Sequence, residues 1–282
     1  MREIATRSLA EAGRSRAGTP ASLRLLHLTD FHLLAESHQR MMGVDTERSL
    51  ASVLEAALSA GPPPDLALFT GDLVQDPEAS AYRRLRAQLR ELPCPGYCVP
   101  GNHDDPKLLK EILPGDNLHV QPHIGLGNWQ VLCLDSTVPR QAHGYLAETQ
   151  LQLLESWLDR EPARYTLIAL HHHPIPCGCR WMDTMVLQNA DRFFAIVAQR
   201  PQVRGVVFGH IHQALDVVYR GIRLLGTPAT CFQFKPNSAE FALDGIPPGY
   251  RRIELHPDGT LSTTLERLGT VPGGLDMGAR GY

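Results

Sequence analysis

The chain has 282 residues, 43% hydrophobic and 20% charged, enough to bury one substantial core in a single domain. A formal net charge of −3 gives no electrostatic footprint for nucleic acid, and the apolar runs fall well short of the ~18 residues a membrane span needs. Six cysteines without small-domain spacing read as reduced thiols of a cytoplasmic protein.

In chain order, residues 1–22 carry Arg2, Arg7, Arg14 and Arg16 but lack the apolar core, roughly 7–15 residues, of a secretory signal, and they read as a tail. Residues 23–267 read as the folded domain, and the Gly- and Pro-containing stretch 268–282 as a second, loose tail or covering arm. Apolar runs at Leu23–Leu28, Leu66–Thr70, Val131–Leu134, Tyr165–Leu170 and Val203–Phe208 predict strands. Between them, helical spacing appears from Asp45 to Ala60, after Asp76-Pro77-Glu78, after Asp105-Pro106, and from Glu148 to Leu158. Beyond Val206 the pattern changes to hairpins, turning at Arg220-Gly221 and Pro257-Asp258-Gly259. Alternating helices and strands followed by antiparallel strands predict a mixed-sheet α/β sandwich.

Four short segments stand directly after strand signals: Asp30-Phe31-His32, Gly71-Asp72, Gly101-Asn102-His103-Asp104 and Gly209-His210-Ile211-His212. Strand ends are where α/β folds build sites. Carboxylate, imidazole and amide donors without thiolate suit manganese, iron or zinc, and the side chains of Asp-x-His and His-x-His in extended backbone point to one side. Any one of these segments is common by chance or reads as an ordinary turn. Their joint order points to a two-metal site that hydrolyses a phosphate ester.

With the His171-His172-His173-Pro174 run added, this ordered set resembles the calcineurin-like metallophosphoesterase superfamily. Within it, Leu170–Pro176, Gly209–Gln213 and Thr227–Pro236 resemble the bacterial class III cyclic AMP phosphodiesterases, a similarity that reaches Arg251. The resemblance implies a metallo-dependent phosphatase fold, a four-layer α-β-β-α sandwich with two mixed sheets inside and helices outside. It implies that Asp30, His32 and His212 bind one metal ion, that Asn102, His172 and His210 bind the other, and that Asp72 bridges them. His172 is selected because the family ligand stands two residues before the proline. Iron or manganese, with zinc also tolerated, would leave residual positive charge for a phosphodiester anion and activate a bridging hydroxide.

The same resemblance brings His32, Asp72, Asn102, His103 and His212 to the substrate and makes His103 the proton donor to the leaving oxygen, oriented by Asp104 or Asp135. The implied substrate is 3′,5′-cyclic AMP, converted to 5′-AMP. A glycerophosphodiesterase or phosphomonoesterase of the same superfamily is the alternative, and a non-catalytic scaffold a more remote one. Phe232, Phe234 and Lys235 read either as an aromatic platform for a purine with a nearby cation or as core, and Trp181 as a further stacking residue. His27, inside the first strand, reads as a packed histidine. Cys177-x-Cys179 and Cys94-x-x-x-Cys98 have the wrong spacing for a standard zinc knuckle. A homo-oligomer stays open.

Overall fold

The computed structural model describes residues 21–271 and 274–281. Apart from residues 21 and 22, the tail expected over 1–22 lies outside the described residues.

Among the described residues, two six-stranded mixed sheets pack face to face. Edge to edge, the first sheet orders Leu261–Arg267, Gly249–Leu255, Leu23–Leu28, Leu66–Thr70, Gly96–Val99 and Leu118–His119. The second orders Leu215–Tyr219, Ile222–Gly226, Val203–Phe208, Tyr165–Ala169, Trp129–Cys133 and His123–Leu126. Within each, the central strands are parallel and the hairpins at the margins antiparallel.

The strand sequences explain this layering. Strands covered on both faces read as continuous apolar runs, and their alternation assigns each residue a side. Leu23, Leu25, Leu66 and Leu68 face the other sheet, while Leu26, Leu28, Ala67 and Phe69 face the helices. In the second sheet Leu167 and Ala169 turn inward, and Ile168 and Leu170 outward. Helices Thr46–Ser59, Ala79–Leu89 and Pro106–Ile112 pack on the first sheet's outer face, and Glu148–Arg160 and Ala190–Val197 on the second's. The four-layer sandwich expected from the sequence is the architecture observed.

Local signals account for the helix starts. Asp45 caps the first helix by accepting from the Arg48 N–H, and Asp105 accepts from Lys107 and Leu108 with Pro106 in the first turn. The start read at Asp76-Pro77 falls later: the helix begins at Ala79 after Glu78, which makes no side-chain cap. The described part of 268–281 lies against the domain, with Leu275 and Ala279 on the apolar cluster and the Asp276 N–H donating to the Met42 carbonyl at 2.8 Å. No helix among the described residues is long and apolar enough to cross a membrane.

Polar ties cross the inter-sheet core at both ends. His27 bonds the hydroxyls of Thr70 in its own sheet and Thr227 beyond the other, each at 2.7 Å. At the opposite end the Trp129 indole N–H donates to the His256 carbonyl at 2.7 Å. Asp104 anchors the loop after Gly96–Val99: it accepts from the N–H of Gly101 at 2.9 Å and of Leu73 at 3.2 Å, and from the Tyr82 hydroxyl at 3.0 Å. That hydroxyl in turn accepts from the Asp105 N–H at 2.9 Å. Burial, reinforced by Asp72, raises the Asp104 carboxyl to about 6 despite these donors.

Tyr82→Phe leaves Asp104 Oδ1 with only the Val74 N–H at 3.4 Å and the Asp105 N–H without its acceptor, so it should lower stability by about 1–3 kcal/mol in urea unfolding. Burial, with help from Arg251, lowers His27 from 6.5 to about 3. The folded chain therefore resists a proton that the unfolded chain binds, and stability is lost as pH falls from 6.5 toward 3. At pH 5 the loss from this residue should be about 2 kcal/mol relative to neutral pH. A His27→Gln variant should show an acid-induced loss of unfolding free energy, measured by urea titration, smaller by that amount; an identical loss would remove His27 as its source.

Candidate metal centre

The C-terminal ends of the central parallel strands of both sheets deliver the site. Asp30 follows Leu23–Leu28, Asp72 follows Leu66–Thr70, Asn102 follows Gly96–Val99, His171 follows Tyr165–Ala169, and His210 follows Val203–Phe208. The first two loops are zipped together, the Asp30 N–H donating to the Gly71 carbonyl at 3.0 Å and His32 to Asp72 at 2.9 Å. Asp30, His32, Asp72, His210 and His212 all adopt left-handed backbone, with φ of 55°, 49°, 48°, 69° and 47°. Each such non-glycine residue costs on the order of 1–3 kcal/mol and marks a place where the surrounding structure dictates the conformation.

Two glycines make the close approach feasible. A Cβ on Gly101 would stand 2.2 Å from the Asp72 N and Oδ1, and one on Gly209 would stand 1.9 Å from Thr29 Oγ1. With that space open, the His103 N–H donates to Asp72 Oδ1 at 2.9 Å, and the His210 N–H reaches both Asp30 carboxylate oxygens at 3.1 Å.

The histidine tautomers follow from their partners. His212 Nδ1 donates to the Phe232 carbonyl at 2.9 Å and His32 Nδ1 to Gln75 Oε1 at 2.8 Å. Each ring then has its lone pair on Nε2, and these two nitrogens face one another at 3.1 Å. Asp30 Oδ1 lies 3.5 Å from His212 Nε2, and Asp72 Oδ2 lies 3.8 Å from His32 Nε2. Burial above all lowers His32 to about 3, so this ring is neutral. Acceptors converging in this way call for a cation between them.

A second group shares Asp72. His171 Nδ1 donates to the Thr70 carbonyl at 2.7 Å, which turns its Nε2 lone pair to Asn102 Oδ1 at 3.1 Å, His210 Nδ1 at 3.2 Å and Asp72 Oδ2 at 3.3 Å. Burial opposes charge on His171, but the Asp72 carboxylate outweighs it and raises the ring to about 9. Without a metal, a proton supplies the cation that these acceptors require. The ligand atoms of Asp30, His32 and His212, of Asp30, Asp72 and His171, and of His171, His172 and His210 each lie within 4.8 Å of one another. Nitrogen and oxygen donors in two sets that meet at the Asp30 and Asp72 carboxylates fit a pair of transition-metal ions.

Within the histidine run two rings reach the centre: His172 Nε2 is buried without a hydrogen-bond partner and belongs to the donor group of His171 and His210. The proline spacing selected His172, yet His171 holds the position facing Asn102, Asp72 and His210. His172 turns its Nδ1 to the Ser136 hydroxyl at 2.8 Å. The cause is strand alternation: Leu167 and Ala169 face the other sheet, and His171 continues that side. His103 is also held differently from expectation. Its Nδ1 donates to the Gln75 carbonyl at 3.1 Å, whereas Asp104 binds loop backbone and Asp135 accepts from Thr137 at 2.7 Å.

A cavity of about 440 Å³ opens beside the second group, lined by Asn102, His103 and His210 and by Arg140, Trp181 and Phe241. Of the five residues expected to meet substrate, Asn102 and His103 line it, while His32, Asp72 and His212 are buried beneath. Phe232 and Phe234 form no open platform: both are buried, Phe232 stacked on His32 and Phe234 on His212. Gln75, which fixes both His32 and His103, escaped the sequence reading because it belongs to no short pattern.

The calcineurin-like phosphoesterase family model matches residues 23–214. The 3′,5′-cyclic adenosine monophosphate phosphodiesterase CpdA of Escherichia coli K12 is 42% identical over 93% of this chain and 96% of its own length. That of Pseudomonas aeruginosa is 40% identical over 94% and 97%, and a 3′,5′-cyclic-nucleotide phosphodiesterase of a Nostoc species is 38% identical over 87% and 92%. Among solved structures, a dimetal phosphatase from Danio rerio shares the fold with a TM-score of 0.57 at 16% identity, over 82% of this chain and 95% of its own. Motif order, strand-end geometry and similarity over nearly the whole chain agree, and this chain belongs to the calcineurin-like phosphoesterase family.

Proposed function

We propose that this chain is a metal-dependent phosphodiesterase that opens the 3′,5′-cyclic phosphodiester of cyclic AMP to give 5′-AMP. The observation that carries the reading is the convergence of imidazole lone pairs and carboxylate oxygens, His32 on His212 at 3.1 Å and His171 on Asn102 at 3.1 Å, beside a cavity of nucleotide size. The choice of substrate rests on identity of 38–42%, over most of the chain, to bacterial proteins named for that activity.

In this reading Asp30, His32 and His212 hold one ion, Asn102, His171 and His210 the other, and Asp72 lies between them. Iron and manganese suit these donors, and zinc is tolerated. Bound there, two ions supply Lewis acidity to phosphoryl oxygens and to water. The protein's own part is orientation. The Nδ1–H groups of His32, His171 and His212 donate to fixed oxygens, so every Nε2 points inward without a search through rotamers. The amide of Asn102 adds a neutral donor where a third carboxylate would cancel the charge that attracts a phosphodiester.

His103 stands at the cavity wall with Nδ1 donating to the Gln75 carbonyl, and its ring is the group placed to pass a proton to the departing ribose oxygen. Arg140 on the same wall offers a cation to the anionic substrate, and Trp181 and Phe241 offer apolar surface to the base.

Initial rates on 3′,5′-cyclic AMP, 2′,3′-cyclic AMP and bis(p-nitrophenyl) phosphate, each with and without chelator, test the reading. Chelator-sensitive hydrolysis led by 3′,5′-cyclic AMP is expected; activity confined to the other esters would keep the centre and overturn the substrate. His103→Ala should keep its metal while kcat falls ~10²–10⁴-fold, and an unchanged kcat would remove His103 as the acid. His171→Ala should lose metal that His172→Ala retains, read as metal per chain by mass spectrometry. The reverse ranking would return the ligand role to His172.

A further inference from the structure

A separate group of donors meets a short way from this centre. His173, Cys177 and Asp183 bring a ring nitrogen, a thiol sulfur and a carboxylate oxygen within 4.8 Å of one another. The His173 side chain is only 1% exposed, and among the described residues neither of its ring nitrogens has a hydrogen-bond partner. Buried imidazoles are ordinarily satisfied, so the idle Nε2 beside Asp183 needs a reason.

The nearest oxygen, Asp183 Oδ1, lies 3.6 Å from His173 Nε2, too far for a hydrogen bond. That separation matches a different geometry. Donors at ~2.0–2.3 Å around a tetrahedral zinc ion stand about 3.5 Å apart. The carboxylate is already fixed, since Asp183 accepts from the N–H groups of Cys177 at 2.7 Å and Gly178 at 3.2 Å.

We propose that His173, Cys177 and Asp183 form a zinc site of their own, distinct from the phosphoesterase centre, with the fourth position left to water. One thiolate, one carboxylate and one neutral imidazole balance a divalent charge, and the sulfur favours zinc over the harder metals. Burial, reinforced by Asp183, keeps the Cys177 thiol protonated in the metal-free chain. Zinc uptake therefore breaks the S–H bond, forms the Zn–S bond and releases one proton to solvent. The ion ties the segment from Cys177 to Asp183 to the histidine run, and that segment carries Trp181 on the wall of the substrate cavity.

Cobalt(II) tests this directly, because a thiolate bound to cobalt gives a charge-transfer band in the near ultraviolet and a centre of nitrogen and oxygen donors gives none. The full-length apoprotein is titrated with cobalt(II), alongside Cys177→Ser and Cys179→Ser. The expected result is the band in wild type and in Cys179→Ser, its loss in Cys177→Ser, and one cobalt fewer per chain in that variant. Absence of the band in wild type, as a water between His173 and Asp183 would give, or its survival in Cys177→Ser, overturns the proposal. Should Cys177→Ser fail to fold, Asp183→Asn keeps the thiolate and serves in its place. It should lower cobalt affinity at the band at least tenfold, and an unchanged titration overturns the site.

Discussion

Two imidazole nitrogens, each with its lone pair outward, face one another at 3.1 Å between His32 and His212. Left to themselves they repel, and in a dry interior the repulsion is undiluted by water. Everything around them holds that arrangement in place. The Phe232 carbonyl and the Gln75 amide oxygen fix the protons on the far side of each ring, and Phe232 and Phe234 pack against the ring faces. The force that brings the two loops together is remote from them: it is the apolar seam in which Leu25, Leu68 and Val99 of one sheet meet Val131, Leu167 and Val207 of the other.

A second layer of support is polar and equally specific. Asp104 gathers the loop that carries Asn102 and His103, and Tyr82 reaches from a helix to hold Asp104 and the next residue's N–H at once. The loops thereby tolerate left-handed backbone at five chemically active residues, a conformation that a freely hinged loop would abandon. The centre is thus preorganised before substrate arrives, as electrostatic catalysis requires.

Much of this was legible in the sequence. Doubly covered strands read as unbroken apolar runs, so Leu66–Thr70 and Val203–Phe208 announce themselves, and the glycine-flanked acids and histidines after them mark the ends. The Asp105-Pro106 start is equally clear, because cap and first-turn proline act locally. What failed to show depends on contacts distant in the chain. Gln75 and Tyr82 acquire their roles from His32, His103 and Asp104, which no local pattern reveals. Counting back from the proline points to His172, whereas counting forward along the strand from Leu167 and Ala169 points to His171, the ring that faces Asn102 and Asp72. Phe232 and Phe234 offered two readings, and only the packing around His32 and His212 decides between them.

The donors of the centre belong to both sheets, Asp30, Asp72 and Asn102 to one and His171 and His210 to the other, while Trp129 and His256 pin the sheets at the opposite end. The centre therefore behaves like a vernier, reading how far one sheet has slid over the other. A small shear at Trp129, too slight to alter the amount of folded protein, would reach the strand ends as a change in the spacing between the two donor sets. Metals held by these donors would make their spectrum a ruler for the interior of the whole domain.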